Sequence, residues 1–152
     1  MVPNKSFGTF YFIIFVARQF TLGKSERLKS RKQIEQLFSE GKNFPLSPFR
    51  IYYLVTPFIN NASSNLQFGA GVSAKNFKRA VDRNRIKRLM REAYRLQKKQ
   101  LQEALKQKKL QLNVFFIYTG KELPMFNTVK EKVNVILSKL IKIVNENNSP
   151  AT

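Results

Sequence analysis

The chain has 152 residues, with 28 Lys and Arg against 9 Asp and Glu, which gives a formal net charge of +19 and a pI near 10.5. That length and an apolar content of 43% suit one domain with a real core, and the charge excess calls for a polyanionic partner, nucleic acid ahead of an acidic membrane. Cysteine and histidine are both absent, which excludes Cys/His zinc sites, disulfides, thiol nucleophiles and acid–base catalysis by histidine. No Gly-rich phosphate cradle of a standard type occurs, so any catalysis the chain serves belongs to a partner. A chain without cysteine is compatible with a reducing cytoplasm.

Residues 1–20 read as an extension of unknown role. Their apolar run Phe10–Ala17, FYFIIFVA, is shorter than the ~20 residues a membrane span needs. Arg18-Gln19-Phe20 follows it instead of a small-residue cleavage pattern. The expectation is an added strand or a loose segment. Residues 21–145 read as one domain. Thr21–Arg31 is a polar, basic arm, and Ser30 is placed to cap a short helix with Ile34, Leu37 and Phe38 on one stripe, ended by Gly41.

Phe49–Thr56, between Pro48 and Pro57, reads as a strand. Alternation puts Phe49, Ile51, Tyr53 and Val55 on a core face and Arg50, Tyr52 and Leu54 on a mixed face suited to a ligand. Asn60–Asn65 is a loop, and Leu66–Ser73 a second strand whose Gly69 and Gly71 signal a bulge or the close approach of another backbone. A long basic helix then runs from about Arg79 through Leu101–Leu105 and frays over Lys106–Lys109. Leu112–Thr119 is the most hydrophobic strand and the expected centre of the sheet. After a turn at Gly120–Pro124, a last helix over Asn127–Asn145 carries Val129, Val133, Ile136, Leu137, Leu140 and Val144 on one face. Residues 146–152 read as a disordered tail. The order of elements predicts an α+β fold, a two-layer sandwich of a small central sheet with about three helices.

Lys75–Lys99 is the most informative stretch. It holds 11 Lys or Arg against Asp82 and Glu92, a net +9 of the chain's +19. At about 100° per residue, Ile86, Leu89, Met90, Ala93 and Leu96 gather on one side and Arg83, Asn84, Lys87, Arg88, Arg91 and Arg95 on nearly the opposite one. A merely solvated face would mix charge signs at i, i+4. This one is almost purely positive and needs an anion. Arginine suits RNA because its planar fork grips phosphate and stacks on exposed bases.

The stretch GVSAKNFKRAVDRNRIKRLMREAYR, Gly71–Arg95, resembles the signature of the bacterial ribonuclease P protein component: a strand ending Val-Ser-x-Lys, then an Arg-Asn-Arg helix with Lys-Arg and a later Arg-Glu. The similarity extends to Arg27-Leu28-Lys29, the Ile34–Phe38 helix with Gly41-Lys42, the Phe49–Tyr52 strand and the Leu-rich last helix, about Phe20 to Lys142. It implies the small subunit of a ribonucleoprotein whose RNA, with Mg2+ bound mainly by that RNA, removes the 5′ leader of precursor tRNA. It also implies a left-handed strand–helix–strand crossover, one protein per RNA, no membrane partner and a cytoplasmic location.

By the same resemblance Lys75, Arg79, Arg83, Asn84, Arg85, Lys87, Arg88, Arg91 and Arg95 would meet the RNA subunit. Ile34, Phe38, Arg50 and Tyr52 would line a cleft for the single-stranded leader. No residue is implied as catalytic or as a metal ligand. Two positions depart from the pattern: Ile34 stands where an aromatic is common, and Asn76 where a second Lys is frequent. Read from the residues alone, Phe38 and Tyr52 are ordinary core; only the resemblance sets a platform for bases beside that reading, for these two ahead of Ile34. A general basic RNA-binding or ribosome-associated protein without a catalytic partner is the alternative function, ahead of a DNA-binding module and a membrane-surface helix.

Overall fold

The computed structural model describes residues 22–59 and 64–147; the expectations for residues 1–20, for residues 60–63 of the Asn60–Asn65 loop and for residues 148–152 of the tail lie outside them. After a short 3-10 turn at Lys24–Glu26, the elements are α1 (Arg31–Glu40), β1 (Lys42–Leu46), β2 (Phe49–Pro57), β3 (Leu66–Val72), α2 (Ala80–Gln97), α3 (Lys99–Lys108), β4 (Leu110–Tyr118) and α4 (Phe126–Glu146). The α+β expectation holds, with four helices rather than about three. The sheet order is β1-β2-β4-β3, so the apolar β4 is an inner strand as expected. It runs antiparallel to β2 and parallel to β3, and α2 and α3 form the crossover between the parallel pair.

The unforeseen strand is β1, KNFPL, pairing Phe44 with Ile51 and Pro45 with Arg50. It is short and carries a proline, which has no N–H to give to a ladder. Such a segment is tolerated only at a sheet edge, which is where β1 lies.

Period-2 alternation on β4 divides the molecule. Leu110, Leu112, Val114, Phe116 and Tyr118 are buried, while Gln111, Asn113, Phe115 and Ile117 are half-buried on the other face. The buried row meets the stripe of α4, where all six expected residues are buried, and the inner face of α2. There Ile86, Met90 and Ala93 are joined by Tyr94. Its ring stacks on Phe68 at 4.0 Å and meets Phe116 edge-on. Leu96, expected inside, is 38% exposed: the sheet and α4 pull the buried arc of α2 toward Tyr94, leaving Leu96 at its far margin.

The basic helix is also not continuous. It breaks at Lys98, whose side chain is buried with its Nζ 2.7 Å from Oε1 of Glu26. The second piece does not fray over Lys106–Lys108. Leu101 and Leu105 are fully buried and anchor it, and it closes on Lys109 in the left-handed region (φ 55°). Among the described residues no helix is long and apolar enough to cross a membrane.

Candidate RNA interface

Two surfaces carry the residues singled out in the sequence. The first begins in the turn between β3 and α2. Phe77 is buried and anchors the turn. Asn76 donates from Nδ2 to the carbonyls of Thr119 and Gly120 at 3.2 and 3.4 Å, tying the turn to the end of β4. The residue that departs from the family pattern therefore has a structural use. Arg83 is half-buried, not on the open side of the helix: its Nη1 donates to the carbonyls of Phe77 and Lys78, both at 2.8 Å. It braces the turn from which Lys75, Lys78 and Arg79 project, all exposed.

Asn84, Arg85, Arg88 and Arg91 are exposed along α2, and Lys87 is half-buried. Arg95 is half-buried and bidentate with Glu92 at 3.0 and 2.5 Å. That hydrogen bonding holds the Glu92 carboxyl below its ordinary range and pushes the Arg95 guanidinium up. The carboxylate thus offsets Arg95 and leaves Arg88 and Arg91 as the open charges of the middle of the helix. Guanidinium groups spaced along one exposed helix face match phosphates spaced along a nucleic-acid backbone.

The second surface is the face of the sheet away from α2 and α4, partly covered by α1. Ser30 caps α1, accepting from the Gln33 N–H at 3.5 Å, and Leu37 is fully buried beneath it. Gly41 ends α1 without a left-handed turn. A side chain there would run into the carbonyls of Leu37 and Tyr53, so glycine lets α1 join the sheet closely. This seats Phe38 edge-on against Tyr52 at 4.6 Å and against Phe115 at 5.4 Å. Phe38 is 40% exposed, and Tyr52 and Phe115 are half-buried. Arg50 is exposed on the same face of β2, paired with Ile117. Ile34, half-buried, lies one turn before Phe38.

The structure thus brings Phe38 and Tyr52 into contact and adds Phe115, which sequence reasoning missed. The signal was present: alternation on β4 puts Phe115 on the face opposite Phe116, and the register places it beside Tyr52. Gly69 and Gly71 make room for it. No bulge interrupts the β3–β4 register, and what comes close is a ring, not a backbone. A Cβ at Gly69 would lie 2.5 Å from Cδ2 of Phe115, and one at Gly71 2.8 Å from its Cε1.

Comparison with known proteins identifies the family. The family model for Ribonuclease P matches residues 22–141. A ribonuclease P protein component of Porphyromonas gingivalis is 40% identical over 121 residues, covering 80% of this chain and 87% of its own. One of Chlorobium phaeobacteroides is 32% identical, covering 79% and 88%. Among solved structures, the RNase P protein of Thermotoga maritima matches with a TM-score of 0.56 at 26% identity, covering 75% of this chain and 96% of that one. That of Staphylococcus aureus shares the fold, with a TM-score of 0.55 at 20% identity over 76% and 95%. With a family match spanning the arm, both surfaces and most of the last helix, this chain belongs to the ribonuclease P protein family.

Proposed function

We propose that the chain works as the accessory subunit of ribonuclease P in the cytoplasm, one copy per catalytic RNA, with the chemistry of leader removal residing in the RNA. The observation that carries this reading is the open arginine face of α2, held on a helix whose opposite face is core. Lys75, Arg79, Arg85, Lys87, Arg88 and Arg91 neutralise phosphates of the RNA subunit, Asn84 hydrogen-bonds to a sugar or base edge, and Arg83 and Arg95 hold their neighbours in place from the edges of that face. The Phe38–Tyr52–Phe115 surface takes the 5′ leader of precursor tRNA. Aromatic side chains stack on unpaired bases without regard to sequence, at about 1–3 kcal/mol per base, and Arg50 lies beside them for the backbone.

Among the described residues no three His, Cys, Asp or Glu gather where they could hold a metal ion. No step of this proposal runs through a protein-bound ion. When bound to RNA, Mg2+ supplies an activated water and stabilises the leaving oxygen. The protein lowers the repulsion that bringing RNA subunit and substrate together creates. The test is reconstitution: protein, cognate ribonuclease P RNA and precursor tRNA at low Mg2+, scored for the mature 5′ end. Stimulated cleavage is the expected result. Binding to RNA without stimulation would instead favour a general RNA-binding protein.

A further inference from the structure

Beside the arginine face of α2 the surface is hollow. The segment leading into α1 runs along the free side of β3, where Arg27 bridges to Phe68 and the Leu28 N–H donates to the Phe68 carbonyl at 2.9 Å. It is pinned at Glu26, which accepts from Lys98 Nζ and Gln102 Nε2, each at 2.7 Å, and from the Gly23 N–H at 2.9 Å. Between this segment and α2 lies a concavity of about 660 Å3. Arg27 enters it from one wall, Arg88, Arg91 and Arg95 from the other, with Glu92 as the one carboxylate. Leu22 and Leu89 complete the lining, and both pack on the core.

Four arginines against one glutamate leave a formal charge of +3 on the lining, and the glutamate is already engaged by Arg95. Arginines that only track a backbone need no hollow and no leucines. A nucleotide can use both: its phosphate is gripped by guanidinium forks, and an unstacked base packs between apolar side chains or on a guanidinium plane. The volume falls within the ~300–1,000 Å3 of small-molecule sites. A base inside a duplex has both faces stacked, so only one swung out of its stack could enter. We propose that this hollow holds a single unpaired nucleotide of the RNA subunit, its base against Leu22 and Leu89 and its flanking phosphate on Arg27, Arg88 and Arg91. The inference rests on the ribonuclease P reading above and adds a shape-dependent contact to an interface that is otherwise electrostatic.

The test uses the full-length protein bound to cognate ribonuclease P RNA carrying sparse 4-thiouridine and 6-thioguanosine. After irradiation, cross-linked peptides and nucleotides are mapped. Cross-links from one unpaired nucleotide to Leu22–Arg27 and to the Leu89 peptide are expected. Cross-links confined to the Asn84–Arg88 side, or arising only from paired nucleotides, overturn the proposal. Affinity gives a second readout. Leu22→Ser should weaken binding about tenfold with an unchanged salt dependence, because a base contact and no phosphate contact is lost. Arg27→Gln should weaken it and lower the salt slope by about one.

A folded Leu22→Ser protein that binds like the unmodified one overturns the pocket. If that variant unfolds, the cross-linking of the unmodified protein decides. Failure of the broader reading looks different: the unmodified protein would then not stimulate cleavage at all.

Discussion

Gly69→Ala tests how the aromatic surface is built. The added Cβ would sit 2.5 and 2.7 Å from Cδ2 and Cε2 of Phe115. Ordinary contact begins at 3.4 Å, so the ring must retreat by about 0.9 Å. Phe115 is half-buried and can tilt toward solvent, which places the overpacking cost near the low end of the usual range, ~1 kcal/mol. Tilting also breaks its edge contact with Phe38, worth about 0.5–1.5 kcal/mol. The expected loss is ~1–2 kcal/mol, read as a lower urea midpoint at constant m-value.

In a Phe115→Ala background the nearest remaining neighbour of the same methyl is Leu28 Cβ, at an ordinary 3.6 Å. Gly69 is not among residues of positive φ, so alanine there should be neutral or stabilising by up to ~1 kcal/mol through the unfolded chain. Reconstituted holoenzyme carrying Gly69→Ala should lose preference for precursor over mature tRNA while keeping its affinity for the RNA subunit. Equal destabilisation by Gly69→Ala with and without the Phe115 ring would refute this account of the glycines.

Three further outcomes are expected. Arg88→Ala with Arg91→Ala should reduce the slope of log affinity for the RNA subunit against log salt by about 1.4–1.8, since each phosphate contact contributes roughly 0.7–0.9; filter binding across a salt series measures it. Arg83→Lys should lower both stability and RNA affinity, because the one Nη1 that donates to both carbonyls stands one bond farther along the side chain than a lysine ammonium reaches, with ~1 kcal/mol visible in urea titration; an unchanged midpoint would show that the brace is dispensable. Tyr94 is fully buried and its hydroxyl has no hydrogen-bond partner, so Tyr94→Phe should keep the stack on Phe68 and raise stability by ~1 kcal/mol near neutral pH.

Burial, and secondarily Glu26, also hold the Tyr94 hydroxyl well above its ordinary pKa of 10.0. The folded chain then keeps a proton that the unfolded chain releases. Stability is complete below about pH 10 and falls as pH rises through the folded value. Tyr94→Phe should flatten that alkaline loss in unfolding experiments on either side of pH 10, and an unchanged loss would assign it to other groups.

How legible the chain was depended on the range of the interaction. The stripe of α4 and the alternation of β2 and β4 are local periodicities, and they matched. The strand β1 was invisible because KNFPL has no strand pattern of its own; it is a strand only because β2 offers it an edge. The break at Lys98 was hidden for a related reason, since the buried ammonium is held by Glu26, 72 residues earlier in the chain. The rotation that traded Leu96 for Tyr94 reflects what α2 packs against, not its own pattern.

The basic run Lys75–Lys99 by itself determined that the chain meets a polyanion, and its residue order determined the family, because charge density and motif are properties of neighbours in sequence. Which arginines remain open for that anion was decided by the folded geometry of α2 and the turn before it. Folding turns Arg83 onto the carbonyls of its own turn, whereas Glu92 claims Arg95 from within the same helix. The aromatic surface was decided only by tertiary structure: Phe38, Tyr52 and Phe115 lie on three elements and meet because two glycines in β3 carry no side chain where the Phe115 ring must lie.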